Sequence, residues 1–513
     1  MLTLAISATG PPTMARRIDN PRLMKKRKVL KDLLRERVDL QDVLRSPELF
    51  LLITQFQRGR TLDLKPFIQF KHGNFDKISN LVPQLDILHV ALAPWYDVYG
   101  LSRLCGMFRC LDYMHPIVLL HALAHGKMEV LVYLHTKWRW TLDASIRNEA
   151  GDAIPIMNIA AIHGQISAVR FLHEHHFRRC THFAMTGAAR HGHLSVVRFL
   201  HEQGYVCTEE AMNVAARYGH LDVVRFLHEN RTEGCSADAI DWAAENGHVE
   251  VVRYLHENRT EGCSTNAMDW AAEHGHVEVV RFLHHHRTEG CTTEAMDHAA
   301  LAGHLDVVRF LHEHRTDGCS TDAMNYAAHA GRLEIVRFLH ENRTEGCTTS
   351  AMDVAAGDGH VDVVRFLHEH RSEGCTEDAM DTAAWHGHLE MVRFLHENRT
   401  EGGSPFAMDM AAAKGHLDVI QFLHEHRTEG CTTHAMDWAA HNGHLEIVQF
   451  LHVNRTEGCT AYALQSARSS GHTRVVRFLE RNGYKAERTL ESALSDATLR
   501  SHLDEIVGHI LTH

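Results

Sequence analysis

A segment of about 28 residues recurs through most of this chain of 513 residues. Two clear copies are CSADAIDWAAENGHVEVVRYLHENRTEG (Cys235–Gly262) and CTTEAMDHAALAGHLDVVRFLHEHRTDG (Cys291–Gly318). Each copy contains one marker glycine, and of the eleven intervals between Gly164 and Gly471, ten are 28 residues and one is 27. Composition alone does not produce a fixed period. We therefore predict one tandem array over residues 151–480 rather than several domains.

Each repeat predicts two short helices. The first runs through the AMDxAA segment, with Ser or Thr as candidate N-caps, and ends near the marker glycine, which suits a left-handed helix cap. The second follows at once, as in residues 304–314, where the apolar positions Leu305, Val308 and Leu311 belong to a set that wraps more than one face. A helix this apolar must be covered on both sides, which stacked neighbouring repeats provide.

The spacing of small and apolar pairs in each repeat resembles that of ankyrin repeats. In DAIDWAAENGHVEVVRYL (Asp238–Leu255) the AA, GH and VV pairs occupy the ankyrin positions. The resemblance implies an all-α fold, an ankyrin-like α-solenoid of stacked helix-turn-helix repeats. Two features depart from the family pattern. Asp241 stands where the family carries His and Ala239 where it carries Pro, and each repeat is about five residues short in the loop. That loop forms a β-hairpin finger in ankyrin proteins, so we expect the fingers to be reduced or absent.

Four regions follow from where the repeat begins and fades. Residues 1–45 are basic and are expected to form a flexible N-terminal arm, and residues 46–150 contain diverged units that we interpret as N-terminal capping repeats. The array of residues 151–480 comes next, and residues 481–513 are predicted to end the stack with a C-terminal capping helix. A solenoid needs terminal units with a polar outer face, which explains the divergence at both ends.

Ten of the 12 cysteines occupy one turn position in successive repeats. Equivalent atoms of packed helices lie about 8–10 Å apart, whereas a disulfide needs Cα atoms within roughly 7 Å. We therefore predict small buried thiols without disulfides, in a reducing compartment. The ten are Cys180, Cys207, Cys235, Cys263, Cys291, Cys319, Cys347, Cys375, Cys431 and Cys459.

The 46 histidines invite a metal interpretation, which the repeat argues against. Pairs such as His312 and His314 are two residues apart and point away from each other on a helix, and neither an HExxH motif nor paired CxxC motifs occur. We predict instead that the Gly-His histidines brace helix starts and that the Leu-His histidines cover helix ends. No metal site and no cofactor are predicted.

No catalytic residue is predicted either, and several partner classes are disfavoured. The chain lacks GxSxG, GxxxxGK[ST] and the kinase signature set. Its net charge is −12 although residues 1–60 carry 13 Lys/Arg against 6 Asp/Glu, so the remaining chain is acidic and nucleic-acid binding is not expected. No run approaches 18 apolar residues, so no membrane contact is expected. We predict a monomer that binds another protein.

A cytoplasmic location is predicted, with nuclear import left open. Lys25, Lys26, Arg27 and Lys28 form a short basic run of the kind that import signals contain, and the opening MLTLAISATG lacks the basic start of a secretory signal. Five Asn-Arg-Thr sequons would be glycosylation acceptors in a secreted protein. We attribute them to the recurring HENRTEG sequence instead.

When the repeats are aligned, each set of equivalent positions forms a column. Columns that vary from copy to copy are the candidate binding surface, because constant columns build the stack. Aromatic residues at exposed positions are typical anchors, and the alternative for the rings before the Ala pair is that they fill gaps between helices. The acidic column before AMD turns aromatic at Phe406 and Tyr462, which predicts attraction of a basic partner segment toward residues 385–462. The alternative for its acids is that they cap helices or complement the helix dipoles. The candidate protein-binding residues are Trp385, His386, Phe406, Trp438, Tyr462, Tyr218, Trp242, Trp270, Tyr326, Asp322 and Asp378.

These features predict a non-enzymatic interaction scaffold or adaptor that binds a partner on the concave face of the solenoid, where ankyrin proteins, by resemblance, place the variable residues. An alternative is a substrate adaptor whose N-terminal region recruits machinery such as a ubiquitin ligase, because the apolar segment Ser46–Gly59 could serve as a docking helix or as the front cap. A further alternative is a secreted effector carrying metal or glycan.

Overall fold

The computed structural model of the chain describes residues 62–72, 78–138, 146–147 and 153–485. The described residues fall into two compact units, one up to Arg179 and one from Cys180 onward. The first helices of the predicted array therefore belong to the first unit. The predicted N-terminal arm, the segment Ser46–Gly59 and residues 486–513 of the predicted C-terminal cap lie outside the described residues.

The first unit is built from helices that alternate with short connections. Its core is apolar, and Leu88, Leu92, Leu104 and Met107 are fully buried. Its elements are a 3₁₀ helix (Leu62–His72), α1 (Ile78–Tyr99), a second 3₁₀ helix (Leu101–Arg103), α2 (Leu104–Cys110), α3 (Met114–Ala124), α4 (Met128–Trp138), β1 (Ile146–Arg147), β2 (Ala153–Ile154), α5 (Ile156–Ile162) and α6 (Ile166–Glu174).

The two strands form the single β pairing among the described residues. They are antiparallel, with Ile146 opposite Ile154 and Arg147 opposite Ala153. They lie between Gly126 and Gly164, where the interval between marker glycines is 38 residues instead of 28 because the connection is about ten residues longer. Where the repeat has its usual length, the described connections carry no strand pair. The prediction of an all-α fold with reduced or absent fingers is confirmed, and a minimal hairpin survives where the loop has room for it.

The second unit is a stack of two-helix repeats. Asp238–Glu245 (8 residues) and Val249–Asn258 (10 residues) place 18 residues of one 28-residue repeat in helix. The helices, first and second in alternation, are α7 (His182–Arg190), α8 (Leu194–Glu202), α9 (Glu210–Arg217), α10 (Leu221–Asn230), α11 (Asp238–Glu245), α12 (Val249–Asn258), α13 (Asn266–Glu273), α14 (Val277–His286), α15 (Glu294–Ala302), α16 (Leu305–His314), α17 (Asp322–His329), α18 (Leu333–Asn342), α19 (Thr349–Gly357), α20 (Val361–His370), α21 (Asp378–His386), α22 (Leu389–Asn398), α23 (Pro405–Lys414), α24 (Leu417–His426), α25 (Thr433–His441), α26 (Leu445–Asn454), α27 (Ala461–Ser469) and α28 (Thr473–Arg481).

Small residues let the first helices of successive repeats pack most closely. The Ala pair of each first helix is fully buried, as at Ala243 and Ala244, and the Val pair of the second helix is buried as well, as at Val251 and Val252. Because alanine adds almost no side chain, neighbouring helix backbones approach one another closely. The constant columns are therefore the packing columns, as the repeat predicts.

A buried or half-buried aspartate in most first helices links its repeat to the next. The Asp269 carboxylate accepts hydrogen bonds from the backbone N–H of Thr292 at 2.8 Å and from its hydroxyl at 2.9 Å. The same hydroxyl accepts a hydrogen bond from the backbone N–H of Glu294, at the start of the next first helix. One Ser/Thr side chain therefore caps its own helix and joins it to the preceding repeat.

The histidine columns also connect neighbours. Gly-His histidines hydrogen-bond to a backbone carbonyl of the preceding repeat, as His444 Nε2 does to Ala413 O at 3.2 Å. Leu-His histidines pack edge-to-face on the aromatic ring of the next second helix, as His312 does on Phe338 with ring centroids 5.4 Å apart. Both contacts are structural, and both join neighbouring repeats.

The cysteine column behaves as predicted. All twelve cysteines are free thiols, and seven of the ten in the turn column are buried. Burial raises the pKa of Cys235 to about 11, which keeps its thiol protonated and unreactive at neutral pH.

Among the described residues, no helix is long and apolar enough to cross a lipid bilayer.

Candidate functional site

The predicted binding residues occupy three columns of the first helices. We define the start column as the residue before AMD, the middle column as the residue before the Ala pair, and the end column as the two residues before the marker glycine. In α21 the start column holds Asp378 and the end column begins with Trp385, seven residues later. At 1.5 Å per residue the two positions lie about 10 Å apart along the helix. Together the three columns are called the first-helix face below.

The end column presents polar and aromatic side chains that contact each other across repeat boundaries. Tyr218 is 41% exposed, and its hydroxyl accepts a hydrogen bond from Arg190 at 2.6 Å. Trp385 is partly exposed and stacks on the exposed His386 with ring centroids 5.1 Å apart. The ammonium of Lys414, in the next repeat, lies 5.3 Å from the Trp385 ring centroid. A broad aromatic surface with a cationic edge results at this point.

The middle column is half-buried between neighbouring helices. Trp242, Trp270, Tyr326 and Trp438 are all of intermediate exposure. The guanidinium of Arg217, in the preceding repeat, lies 5.3 Å from the Trp242 ring centroid. These rings therefore fill space between repeats and also expose an edge. Trp385 has the same intermediate exposure.

The start column is acidic in the earlier repeats and exposed there. Asp322 and Asp378 are the first residues of α17 and α21, and both are exposed. Their backbone N–H groups donate to the hydroxyls of Ser320 and Thr376, so the capping acceptor stands two residues earlier. The carboxylates are favourable beside the positive end of the helix dipole, but they are not needed as caps.

Like charges lie close together in this column. The pKa of Glu210 is raised by partial burial and by the neighbouring carboxylates of Asp238 and Glu209. Mutual repulsion of this kind means that a cation placed between them would be stabilised.

Aromatic residues replace the acids in the last repeats. Phe406 is 40% exposed and follows Pro405 at the start of α23. Trp438 stacks on His434 with centroids 4.9 Å apart, and the Tyr462 ring reaches His441 of the preceding repeat at 6.1 Å. Two of the predicted residues thus join clusters with histidines. No contact between Trp385 and Phe406 is seen in the part of the chain that the structure describes.

A three-histidine cluster in the first unit was not expected from the sequence. His121 lies in α3 and His125 directly follows that helix, four residues later, while His89 lies in α1. The ring nitrogens His89 Nδ1 and His121 Nε2 are 3.0 Å apart, and one nitrogen from each of the three rings lies within 4.8 Å of the others. The segment HALAH has the same i, i+4 histidine spacing as HExxH, with Ala in place of Glu. This spacing places two rings on one helix face.

Burial keeps the central ring of this cluster neutral. His121 is fully buried, and its pKa is lowered to about 3, first by burial and then by the neighbouring His125, His89 and Lys127. Among the described residues, these three side chains have ligand atoms close enough together for a metal ion to be shared between them.

Comparison with family models identifies the repeats. A model described as ankyrin repeats (3 copies) matches residues 185–269, 212–297 and 268–350. A second, ankyrin repeats (many copies), matches residues 352–396 and 408–452. The segment between the last two matches contains Gly403, Pro405 and Phe406, where this chain leaves its own consensus. A search of curated proteins found no match. Residues 185–452 of this chain belong to the ankyrin-repeat family.

Proposed function

We propose that the chain is a non-enzymatic scaffold whose first-helix face binds a basic segment of a partner protein. Ankyrin repeats are in general protein-interaction modules. The observation that carries the finer proposal is the change along the start column, from exposed acids at Asp322 and Asp378 to the exposed ring of Phe406. An acidic approach that ends at an aromatic anchor suits a basic segment with an apolar terminus.

The absence of catalysis is part of this proposal. The cysteines, aspartates and histidines that recur in the array have packing or capping roles that repeat from copy to copy, and burial keeps thiols such as Cys235 protonated. A protonated thiol of this kind is a poor nucleophile.

The adaptor alternative rests on residues 46–59, and the prediction of nuclear import rests on Lys25–Lys28. Both lie outside the described residues and, with the cytoplasmic location and the monomeric state, stay predictions.

The test is a selection of linear peptides displayed on phage against the full chain. The proposal expects enriched sequences to combine Lys/Arg with an aromatic or aliphatic residue. Trp385→Ala with Phe406→Ala should then weaken binding of a selected peptide by at least ~2 kcal/mol, mainly through faster dissociation.

A matched control is available on the second helices. His285 and Glu313 are exposed there, and His285→Ala with Glu313→Ala should leave peptide affinity unchanged. Circular dichroism would verify that both double variants keep their helix content. Binding that survives the aromatic double variant but is lost in the second-helix variant would place the site on the other side of the stack and reject the proposal.

A further inference from the structure

His89, His121 and His125 form the strongest candidate for a site in the first unit, separate from the first-helix face. The unit places them together through two elements, since α1 carries His89 and the end of α3 carries the other two. Their ring centroids are 4.2 Å (His89–His125), 4.7 Å (His121–His125) and 5.2 Å (His89–His121) apart. We propose that these three histidines bind a divalent transition-metal ion of the zinc class.

The separations of the ring nitrogens fit a shared ion. Imidazole nitrogens bind Zn²⁺ at about 2.0–2.1 Å, so two ligands on one tetrahedral ion lie roughly 3.3 Å apart. His89 Nδ1 and His121 Nε2 are 3.0 Å apart and share a hydrogen bond that a bound ion would replace, and the third ligand atom lies within 4.8 Å of both. The His89 and His125 rings are stacked with an interplanar angle of 28°, so the His125 ring must turn to direct its nitrogen at the same ion. Three imidazoles leave a fourth position for water.

An unsatisfied nitrogen is the second observation that points to a ligand. His125 Nε2 is buried with no hydrogen-bond partner. His125 also hydrogen-bonds to the Leu85 carbonyl, and because its Nε2 has no partner this bond must use Nδ1. A bond from the other ring nitrogen to a backbone carbonyl is the usual support of a metal-binding histidine, since it fixes the tautomer and aims the free lone pair.

The surroundings allow an ion to enter and be held. His121 is fully buried, whereas His89 and His125 are partly exposed, so the cluster opens to solvent on their side. Asp86 interacts favourably with a positive charge at His125, and Lys127 opposes it. The buried Tyr96 hydroxyl, which also has no partner, belongs to a ring whose centroid lies 6.1 Å from that of His121. Neutral imidazoles suit Zn²⁺, Cu²⁺ and Ni²⁺ rather than Mg²⁺ or Ca²⁺.

The test uses the full chain, stripped of metal by a chelator and titrated with Zn²⁺ against a competing fluorescent chelator. Competition is essential because 46 histidines supply weak background binding. We expect one Zn²⁺ per chain to be held tightly. His89→Gln with His125→Gln should lower that affinity by about 100-fold or more, since loss of supporting groups alone costs 10–100-fold. The control His312→Gln with His340→Gln, which removes two histidines of the second unit, should retain the tight site.

A conservative variant separates ligand loss from misfolding. His125→Cys offers a thiolate, which is itself a zinc ligand, and should hold Zn²⁺ more tightly than His125→Gln. With Co²⁺ it should also gain a sulfur-to-metal charge-transfer absorption that the wild type lacks. The proposal would be overturned if the wild-type chain bound no Zn²⁺ tightly. Unchanged affinity in His89→Gln with His125→Gln, or a folded His125→Cys without the new absorption, would overturn it as well.

Discussion

The hydroxyl of Ser264 donates a hydrogen bond to the Asp241 carboxylate at 2.6 Å, across the boundary between two repeats. The Ser264 backbone N–H donates to the other carboxylate oxygen at 2.9 Å. Asp241 stands where ankyrin repeats carry a histidine, so this chain replaces that residue with an acceptor for the next repeat. The same pairing recurs 23 residues apart in later repeats, as at Asp437 and Thr460.

We predict that Asp241→Ala destabilises its repeat by about 1–3 kcal/mol, because the partially buried Ser264 N–H would lose its acceptor. Asp241→Asn should change stability by less than about 1 kcal/mol. Two repeats already use that pairing, since Asn213 accepts from the Ser236 N–H at 3.0 Å and Asn325 from the Thr348 N–H at 3.0 Å. Native-state hydrogen exchange of amides in residues 238–265 measures the change in local opening. Equal effects of Ala and Asn would contradict the assigned role.

The aspartate links should also make stability depend on pH. Burial raises the pKa of Asp381 to about 7 and of Asp353 to about 6, although hydrogen bonds from Ser404 and Thr376 favour the charged forms. An acid whose folded-state pKa exceeds its unfolded value of about 3.9 adds most stability below that value. The contribution is lost as pH rises through 6–7.

Asp353→Asn with Asp381→Asn removes this contribution. As the pH is raised from 4.5 to 7.5, the unfolding free energy of the double variant should therefore rise relative to that of wild type by on the order of 1–3 kcal/mol. Urea unfolding at pH 4.5 and pH 7.5 measures the difference. Each protein is compared with itself at the two pH values and so serves as its own control. A difference that does not vary with pH would show that these carboxylates are ionised in the fold.

The Gly-His histidines should act in the opposite direction. Burial lowers the pKa of His248, His276 and His444, although each also hydrogen-bonds a backbone carbonyl of the preceding repeat. A base with a lowered folded-state pKa stabilises the fold above its unfolded value of about 6.5. That stability is lost as pH falls below this value.

Replacing His248, His276 and His444 with Gln should reduce the loss of stability that occurs when the pH is lowered from 7.5 to 5. The stability at pH 7.5 itself should change little. Gln165 is the natural precedent, since its side-chain amide donates to the Ala124 carbonyl at 2.9 Å from the equivalent position. Thermal unfolding across this pH range is the measurement. An acid sensitivity as large as in wild type would assign it to other groups.

The marker glycines allow a separate test of how repeats fit together. Gly247 has φ 74°, and a Cβ there would lie 2.6 Å from Nδ1 of His276 in the next repeat. Gly471 has φ 78°, and a Cβ there would meet nothing within 4 Å. Gly471→Ala should therefore cost about 1 kcal/mol from the left-handed backbone alone, and Gly247→Ala roughly 1–3 kcal/mol more. Local hydrogen exchange measures both, and adding His276→Ala to Gly247→Ala should remove the excess.

The period of the repeat was enough to predict the helices, the buried columns and the loss of most hairpins. Asp241 could be noticed as a departure from the ankyrin pattern, but its partner could not, because a hydrogen bond between residues 23 apart depends on how two repeats are stacked. The signal was present nonetheless, since nearly every AMD aspartate is followed 23 residues later by Ser or Thr.

The histidine cluster shows a different limit. The spacing of His121 and His125 is visible in the sequence, whereas His89 lies 32 residues before His121 in a diverged region with no repeat to align. Only the packing of α1 against α3 brings it to 3.0 Å from His121. For the binding face, the sequence located the variable columns, and exposure then distinguished Phe406 from the half-buried rings of Trp385 and Trp242.

The acidic start column should govern how fast a basic peptide associates. Neutralising Asp322 and Asp378 as Asp322→Asn with Asp378→Asn should slow association several-fold at low salt and flatten its salt dependence, with little effect on dissociation. Glu313→Gln with Glu341→Gln makes the same charge change at exposed positions of the second helices and should leave the association rate near that of wild type. Stopped-flow measurements from low to physiological ionic strength compare the two. If both pairs slow association equally, the net charge of the chain attracts the peptide, and the start column has no special part in binding.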